Sequence, residues 1–120
     1  MRKILLLAAI VSLTGCSTIS TIKEYWPRSH DPVMFDHLVN VEINIAKIDC
    51  EKPDWQPAVN RAEMLAKYTE WRGDPQRINL KGLHDHTIKM SKGGSKTFCE
   101  MGKKTAVGRI DAARKAWEGR

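Results

Sequence analysis

The chain has 120 residues and a formal net charge of +6, with 20 lysines and arginines against 14 aspartates and glutamates. These 120 residues suffice for one small domain and exclude a second domain of ordinary size within them. The charge excess is modest, so composition alone predicts only a weak attraction to anionic lipid, lipopolysaccharide or peptidoglycan.

The first residues follow the order of a secretion signal. Two basic residues come first, and residues 4–13 are apolar except for one serine. A run of that length is too short to span a bilayer as a stable helix. The motif Leu13-Thr14-Gly15-Cys16 follows directly. The alternatives are an ordinary signal peptide with an incidental cysteine, or a short buried helix, which the flanking residues disfavour.

This motif resembles the lipobox of bacterial lipoproteins. The resemblance implies removal of residues 1–15 as a signal peptide, acylation of the Cys16 thiol and lipidation of its new amino group. Ser17, where an aspartate would hold the protein in the inner membrane, resembles the outer-membrane class. Several acyl chains, at about 0.8 kcal/mol per buried CH₂, would anchor the protein without a transmembrane helix. The expected location is the outer membrane, lipid-anchored and facing the periplasm.

Residues 16–30 are expected to form a lipidated tether. Tyr25 and Trp26 have amphipathic rings that suit the membrane interface and equally suit packing on the domain. An exported protein does not normally meet nucleic acid, so nucleic acid is not an expected partner. Cleavage would also remove Arg2 and Lys3, which lowers the net charge from +6 to +4.

Residues 31–120 are expected to form a helical periplasmic domain. Asp31-Pro32 supplies an N-cap followed by proline at the first helical position. The first helix is expected to end near Cys50, because Pro53 disfavours helical angles in the residue before it. The apolar stripe of this helix is Met34, Leu38, Val41, Ile45 and Ile48, widened by Val39 and Ile43.

Three further helices are predicted after the first. Asp54 caps the second, Gly73 ends it, and Asp74-Pro75 repeats the start signal for a weaker third. The motif Thr97-x-x-Glu100 is a capping box for the fourth. The expected inward residues are Ala58, Ala62, Leu65 and Thr69 of the second helix, flanked by Val59 and Ala66; Leu80, Leu83, Thr87 and Met90 of the third; and Cys99, Ala106, Ile110, Ala113 and Trp117 of the fourth. No segment alternates as a strand, so the fold class is all-α, a small up-down bundle of three to four helices.

The two cysteines besides Cys16 are expected to form a disulfide. An exported protein with one remaining pair usually oxidises it, the alternative being two buried thiols. In an up-down bundle the first helix ends where the fourth begins, which places Cys50 and Cys99 at the same end. The chain has no CxxC motif, so a role in thiol exchange lacks support.

Residues suited to catalysis or metal binding are sparse. His84, Asp85 and His86 form the only cluster of interest, but histidines two apart point roughly 200° apart on a helix, which disfavours a shared metal. The sequence has no strained nucleophile turn, phosphate-binding glycine loop or HExxH motif. We therefore expect no enzyme activity, no cofactor, no metal and no small-molecule substrate.

The function expected from the sequence is protein–protein contact by an envelope lipoprotein. Trp55 lies between two prolines and is expected to be exposed, so that it contacts the protein partner together with Tyr25 and Trp26. Trp117 and Trp71 are expected in the core. The order of lipobox cysteine, tether and periplasmic domain is also similar to phage outer-membrane spanins, which implies a lysis role linking outer and inner membranes. A third hypothesis is an exclusion or inhibitor lipoprotein that blocks a receptor or wall hydrolase.

Overall fold

The computed structural model describes residues 31–119, and over that range the chain forms four helices and no strand. They are α1 (Pro32–Ala46), α2 (Gln56–Trp71), α3 (Arg77–Ser91) and α4 (Lys96–Glu118). Each helix packs against its neighbours in sequence, and α1 also packs against α4. The all-α bundle expected from the sequence is therefore confirmed, with four helices closing around one core.

The core of the bundle is the set of apolar stripes that the 3.6-residue period predicts. Its buried members include Leu38, Val41 and Ile45 of α1, Ala58, Ala62 and Leu65 of α2, Leu80, Leu83 and Met90 of α3, and Cys99, Ala106, Ile110, Ala113 and Trp117 of α4. Thr69 and Thr87 are also fully buried, and each hydroxyl donates to a backbone carbonyl of its own helix. Burying a hydroxyl is tolerated when it is hydrogen-bonded in this way.

The first helix ends earlier than the sequence predicts. It stops at Ala46 and not near Cys50. The side-chain amine of Lys103 donates to the carbonyl oxygens of Ala46 at 3.4 Å and of Ile48 at 2.8 Å. A donor from α4 thus satisfies carbonyls that the end of a helix leaves unpaired. Ile48 lies beyond the helix but remains 7% exposed, so its place in the core was predicted correctly.

The helices start within a few residues of the predicted signals, but the caps predicted at Asp54 and Asp74 are wrong. Trp55 and Gln76 hold the N-cap positions of α2 and α3, and neither makes a side-chain cap hydrogen bond. Asp31 caps α1, and its Oδ1 accepts from the backbone N–H of Val33 at 3.0 Å. The capping box predicted at Thr97 is wrong, because Ser95 caps α4 and its Oγ accepts from the backbone N–H of Phe98 at 3.1 Å. The chain reaches Ser95 through two glycines at positive φ, which leaves this serine as the first residue able to cap.

The two ends of the bundle carry different features. We call the Asp31 end the one formed by the start of α1, the α2–α3 turn and the last turn of α4. Two hydrogen bonds join these parts: Tyr68 to Asp31 and Trp117 to Asp74. We call the opposite end the Cys50 end. There Cys50 and Cys99 lie at disulfide distance, with Cα atoms 5.7 Å apart, as the up-down topology predicts.

Candidate interaction surfaces

The predicted anchor and tether residues, Cys16, Tyr25 and Trp26, lie outside the residues that the structure describes. Lipid attachment and contact by these two rings therefore stay predictions. The cysteine pair is within the described range, and Cys99 is 3% exposed. Cys50 is partly buried and packs against the core.

The expected exposure of Trp55 is wrong. This residue is 3% exposed and belongs to the core, where its ring meets the His86 ring edge-on at 6.3 Å. Among the described residues its indole Nε1 has no hydrogen-bond acceptor. The prolines and polar residues around Trp55 suggested a surface position. In the fold, however, the ring packs against the core. A ring of this size buries a large apolar area there. Trp55 therefore offers no contact surface to a partner.

The His84-Asp85-His86 cluster lies within α3, as the sequence favoured. His86 Nε2 hydrogen-bonds to the carbonyl oxygen of Gly102 at 2.9 Å, so this imidazole links α3 to α4. His84 is on another side of the helix, along a shallow groove with Lys81 and Ile78. No group of three or more histidine, cysteine, aspartate or glutamate side chains within residues 31–119 is arranged to hold a metal ion.

A small polar network ties α1 to the last turn of α2. Tyr68 donates its phenol to Asp31 Oδ2 at 3.0 Å, and Arg72 Nε lies 3.3 Å from the same oxygen. Burial raises the pKa of the Tyr68 phenol above its ordinary 10.0, and the hydrogen bond to Asp31 and the charge of that carboxylate raise it further. The nearby Arg72 charge opposes the shift. The network holds the first residue of the domain against α2.

The same end of the bundle exposes three large apolar side chains, which we call the end surface: Val33, Trp71 and Ile78. Their exposed fractions are 48%, 82% and 74%. Val33 is in the first turn of α1, Trp71 is the last residue of α2, and Ile78 is in the first turn of α3. The expectation that Trp71 is a core residue is therefore wrong. Large contiguous apolar patches mark contact sites, whereas apolar residues exposed singly are ordinary, so these three residues are only a candidate contact surface.

A shallow apolar depression adjoins the end surface. It lies between α1 and α2 and is lined by His37, Met64, Tyr68, Trp71 and the stem of Lys67. The ring centroids of His37 and Tyr68 are 5.4 Å apart. The accessible surface of the depression is almost wholly apolar, and the Tyr68 hydroxyl is bonded to Asp31.

A second exposed apolar area, which we call the lateral surface, consists of Val39 and Ile43 of α1 and Val107 of α4. Their exposed fractions are 47%, 44% and 37%. Val39 and Ile43 are four residues apart and so share one face of α1. The sequence predicted that they widen the buried stripe, which is wrong, because the core needs a narrower arc of α1 than the apolar residues cover.

Comparison with known proteins gives no relative for this chain. No protein-family model matches it, and neither a curated protein nor a solved structure is significantly similar to it. None of the helices within residues 31–119 is both long enough and apolar enough to cross a membrane.

Proposed function

We propose that this chain is a lipid-anchored lipoprotein of the outer membrane that faces the periplasm and acts by protein–protein contact, without catalysis. The motif Leu13-Thr14-Gly15-Cys16 supports the anchor, and Ser17 supports the outer-membrane location. In this proposal residues 1–15 are removed, residues 16–30 connect the lipid to the domain, and the rest is the periplasmic domain.

Oxidation of Cys50 and Cys99 to a disulfide is part of the proposal. Export places the pair in an oxidising compartment. The Cα separation of 5.7 Å falls in the range that a disulfide requires without backbone movement. The bridge would join the loop after α1 to the first turn of α4.

The lateral surface is the observation that supports protein–protein contact. Val39 and Ile43 are apolar, are four residues apart and remain about half exposed after the core has formed. Charged residues border them on the same helix, Asp36 before Val39 and Glu42 beside Ile43. An apolar stripe with a charged border is the pattern that receives an amphipathic helix of another protein.

His84, Asp85 and His86 were the candidates for catalysis or metal binding. Their contacts in the fold favour a structural role. His86 hydrogen-bonds to Gly102 and touches Trp55, so its imidazole holds α3 and α4 together. His84 borders an open groove shared with Lys81 and Asp85, a mixed-charge surface. These contacts favour a structural and solvated role for the three residues over a reactive one.

The proposal is tested by affinity purification of the full lipidated chain from detergent-solubilised envelope. The informative variant carries Val39→Glu with Ile43→Glu, and the matched control is Met101→Glu, at a residue that is 63% exposed outside both surfaces. We expect the wild type and the control to retain the same envelope protein and the double variant to lose it. Retention by the double variant, with circular dichroism unchanged, would contradict the role of the lateral surface.

A further inference from the structure

The two cysteines at the Cys50 end differ in how far they are buried. Cys99 is 3% exposed, whereas Cys50 is half-buried and packs against the core from outside it. We propose that the bridge between them undergoes thiol–disulfide exchange with a dithiol oxidoreductase, through a mixed disulfide on Cys50 and with Cys99 as the leaving sulfur. The inference rests on the proposed function in one respect, the bridge itself. It goes further by naming the reactive atom and the chemistry of the partner.

Cys50 lies on a loop that another protein can approach. Helix α1 ends at Ala46 and α2 begins at Gln56, so Cys50 belongs to neither helix. Its sequence neighbours on both sides, Asp49 and Glu51, are exposed. A thiolate opens a disulfide by attacking one of its two sulfurs and displacing the other, and access decides which sulfur is attacked. The active-site cysteine of a second protein therefore meets Cys50 before Cys99.

Cys99 is placed to leave as a thiolate. It lies in the first turn of α4, and its backbone N–H donates to the carbonyl oxygen of Ser95 at 3.0 Å. The positive end of the helix dipole favours a negative charge in this turn. Lys103, four residues on, adds a positive charge on the same side of α4. Burial disfavours a charged sulfur here, and the dipole and Lys103 act against that cost. Access thus selects Cys50, and the local charges support departure of Cys99.

The exchange balances in atoms and electrons. A thiolate of the oxidoreductase forms an S–S bond to Cys50 Sγ, the bond to Cys99 breaks, and its electron pair stays on Cys99 Sγ, which takes up a proton. The second thiolate of the oxidoreductase then attacks the enzyme's own sulfur in the mixed disulfide and releases Cys50. Two electrons and two protons pass from the dithiol to the cysteine pair, and the oxidoreductase leaves as a disulfide.

Formation of the bridge follows the same path in reverse. An oxidised oxidoreductase would take Cys50 into a mixed disulfide, and the Cys99 thiolate would then attack Cys50 Sγ and expel the enzyme. This chain has no CxxC motif, so it is the substrate of the exchange and the partner supplies the dithiol. The one species common to both directions is the mixed disulfide on Cys50.

Trapping of that mixed disulfide tests the inference on the full oxidised chain purified from the envelope. The probe is a thioredoxin whose second active-site cysteine is replaced by serine, so that the mixed disulfide persists. N-ethylmaleimide then blocks the freed thiol, and trypsin separates the two cysteines into peptides 48–61 and 97–103. We expect at least about ten times more probe on peptide 48–61 than on peptide 97–103, because Cys99 is shielded. Mass spectrometry should find the N-ethylmaleimide label on peptide 97–103.

The matched control is the same oxidised chain in urea. There burial no longer distinguishes the sulfurs, and we expect the probe on both peptides within about twofold. A native ratio equal to the ratio in urea, or a preference for Cys99, would overturn the inference and leave the bridge intact. So would a native chain that takes up no probe while the chain in urea reacts. Alkylation of both cysteines before the probe is added would show that no bridge exists, which would overturn that part of the proposed function and the inference with it.

Discussion

The indole Nε1–H of Trp117 donates to Asp74 Oδ1 at 3.1 Å, joining residues 43 positions apart in sequence. Both are buried, Trp117 at 4% and Asp74 at 1% exposure. The same carboxylate oxygen accepts from the backbone N–H of Gln76 at 2.8 Å. One buried carboxylate therefore stabilises the start of α3 and holds the last turn of α4 against it.

Replacing Asp74 should be costly. Asp74→Ala leaves the buried Trp117 N–H without its acceptor and removes the bond to Gln76, so we expect the free energy of unfolding to fall by about 2–4 kcal/mol. The matched control is Asp54→Ala, because Asp54 is exposed and, within residues 31–119, its side chain accepts only from the backbone N–H of Gln56 at 3.1 Å. We expect that change to cost about 0.5–1 kcal/mol. Urea denaturation measures both, and equal costs would show that the contact with Trp117 contributes nothing.

The Cys50–Cys99 pair should stabilise the domain through its long loop. The cysteines are 49 residues apart, and the chain-entropy model gives about 4 kcal/mol for a bridge that closes a loop of that size. We expect reduction to lower the free energy of unfolding by up to that amount, as measured by denaturation with and without reductant. Alkylation of both cysteines in denatured, unreduced protein from the envelope would refute the bridge.

Replacing two glycines of α4 by alanine should change the free energy of unfolding by different amounts. At Gly108 an added Cβ meets no atom within 4 Å, so Gly108→Ala should raise the free energy of unfolding by about 1 kcal/mol through helix propensity. At Gly102 the Cβ would come within 3.1 Å of Met90 Cγ and closer to the end of that side chain. Gly102→Ala should therefore gain less than Gly108→Ala or lose stability, because Met90 has to move. Thermal denaturation distinguishes the pair, and an equal gain would contradict the close approach of α3 and α4.

Tyr68 should make the free energy of unfolding of the domain fall at alkaline pH. The unfolded phenol titrates near pH 10 and the folded phenol at higher pH, so above pH 10 the unfolded state loses its proton first. This contribution to stability is complete below pH 10 and is lost as the pH rises through the folded pKa. Tyr68→Phe should remove that part of the slope and cost about 1 kcal/mol at neutral pH, for the lost bond to Asp31. Denaturation from pH 8 to 11 with both proteins measures the difference, and identical slopes would contradict the shift.

The core was predictable because helical geometry repeats. Leu80, Leu83, Thr87 and Met90 were placed inward from their spacing alone, and all four are buried. Gly73 was predicted to end the second helix, and its φ of 63° is the left-handed conformation that such a stop requires. The inward spacing and the glycine stop can both be recognised from residues no more than one helical turn apart in sequence.

The two tryptophans that were placed wrongly depend on distant parts of the chain. Trp55 looks exposed in its proline-flanked loop, but it is part of the core and its ring meets His86 of α3. Trp71 looks internal because it continues the spacing of Met64 and Tyr68, but no element of the described domain covers the end of α2. The spacing of apolar residues shows which side chains share a face of a helix. It does not show whether another helix covers that face. Consequently Trp55→Ala would report lost packing, about 3–5 kcal/mol, and not lost binding.

Intact-mass spectrometry of the protein purified from membranes is the most direct test of the proposed lipid on Cys16. We expect a chain that begins at Cys16 and carries acyl groups on the sulfur and on the amino group. We also expect Cys16→Ala to leave the signal segment uncleaved and the chain without lipid. A wild-type chain whose Cys16 has an unmodified thiol, or that begins at another residue, would contradict the anchor and the envelope function argued from it.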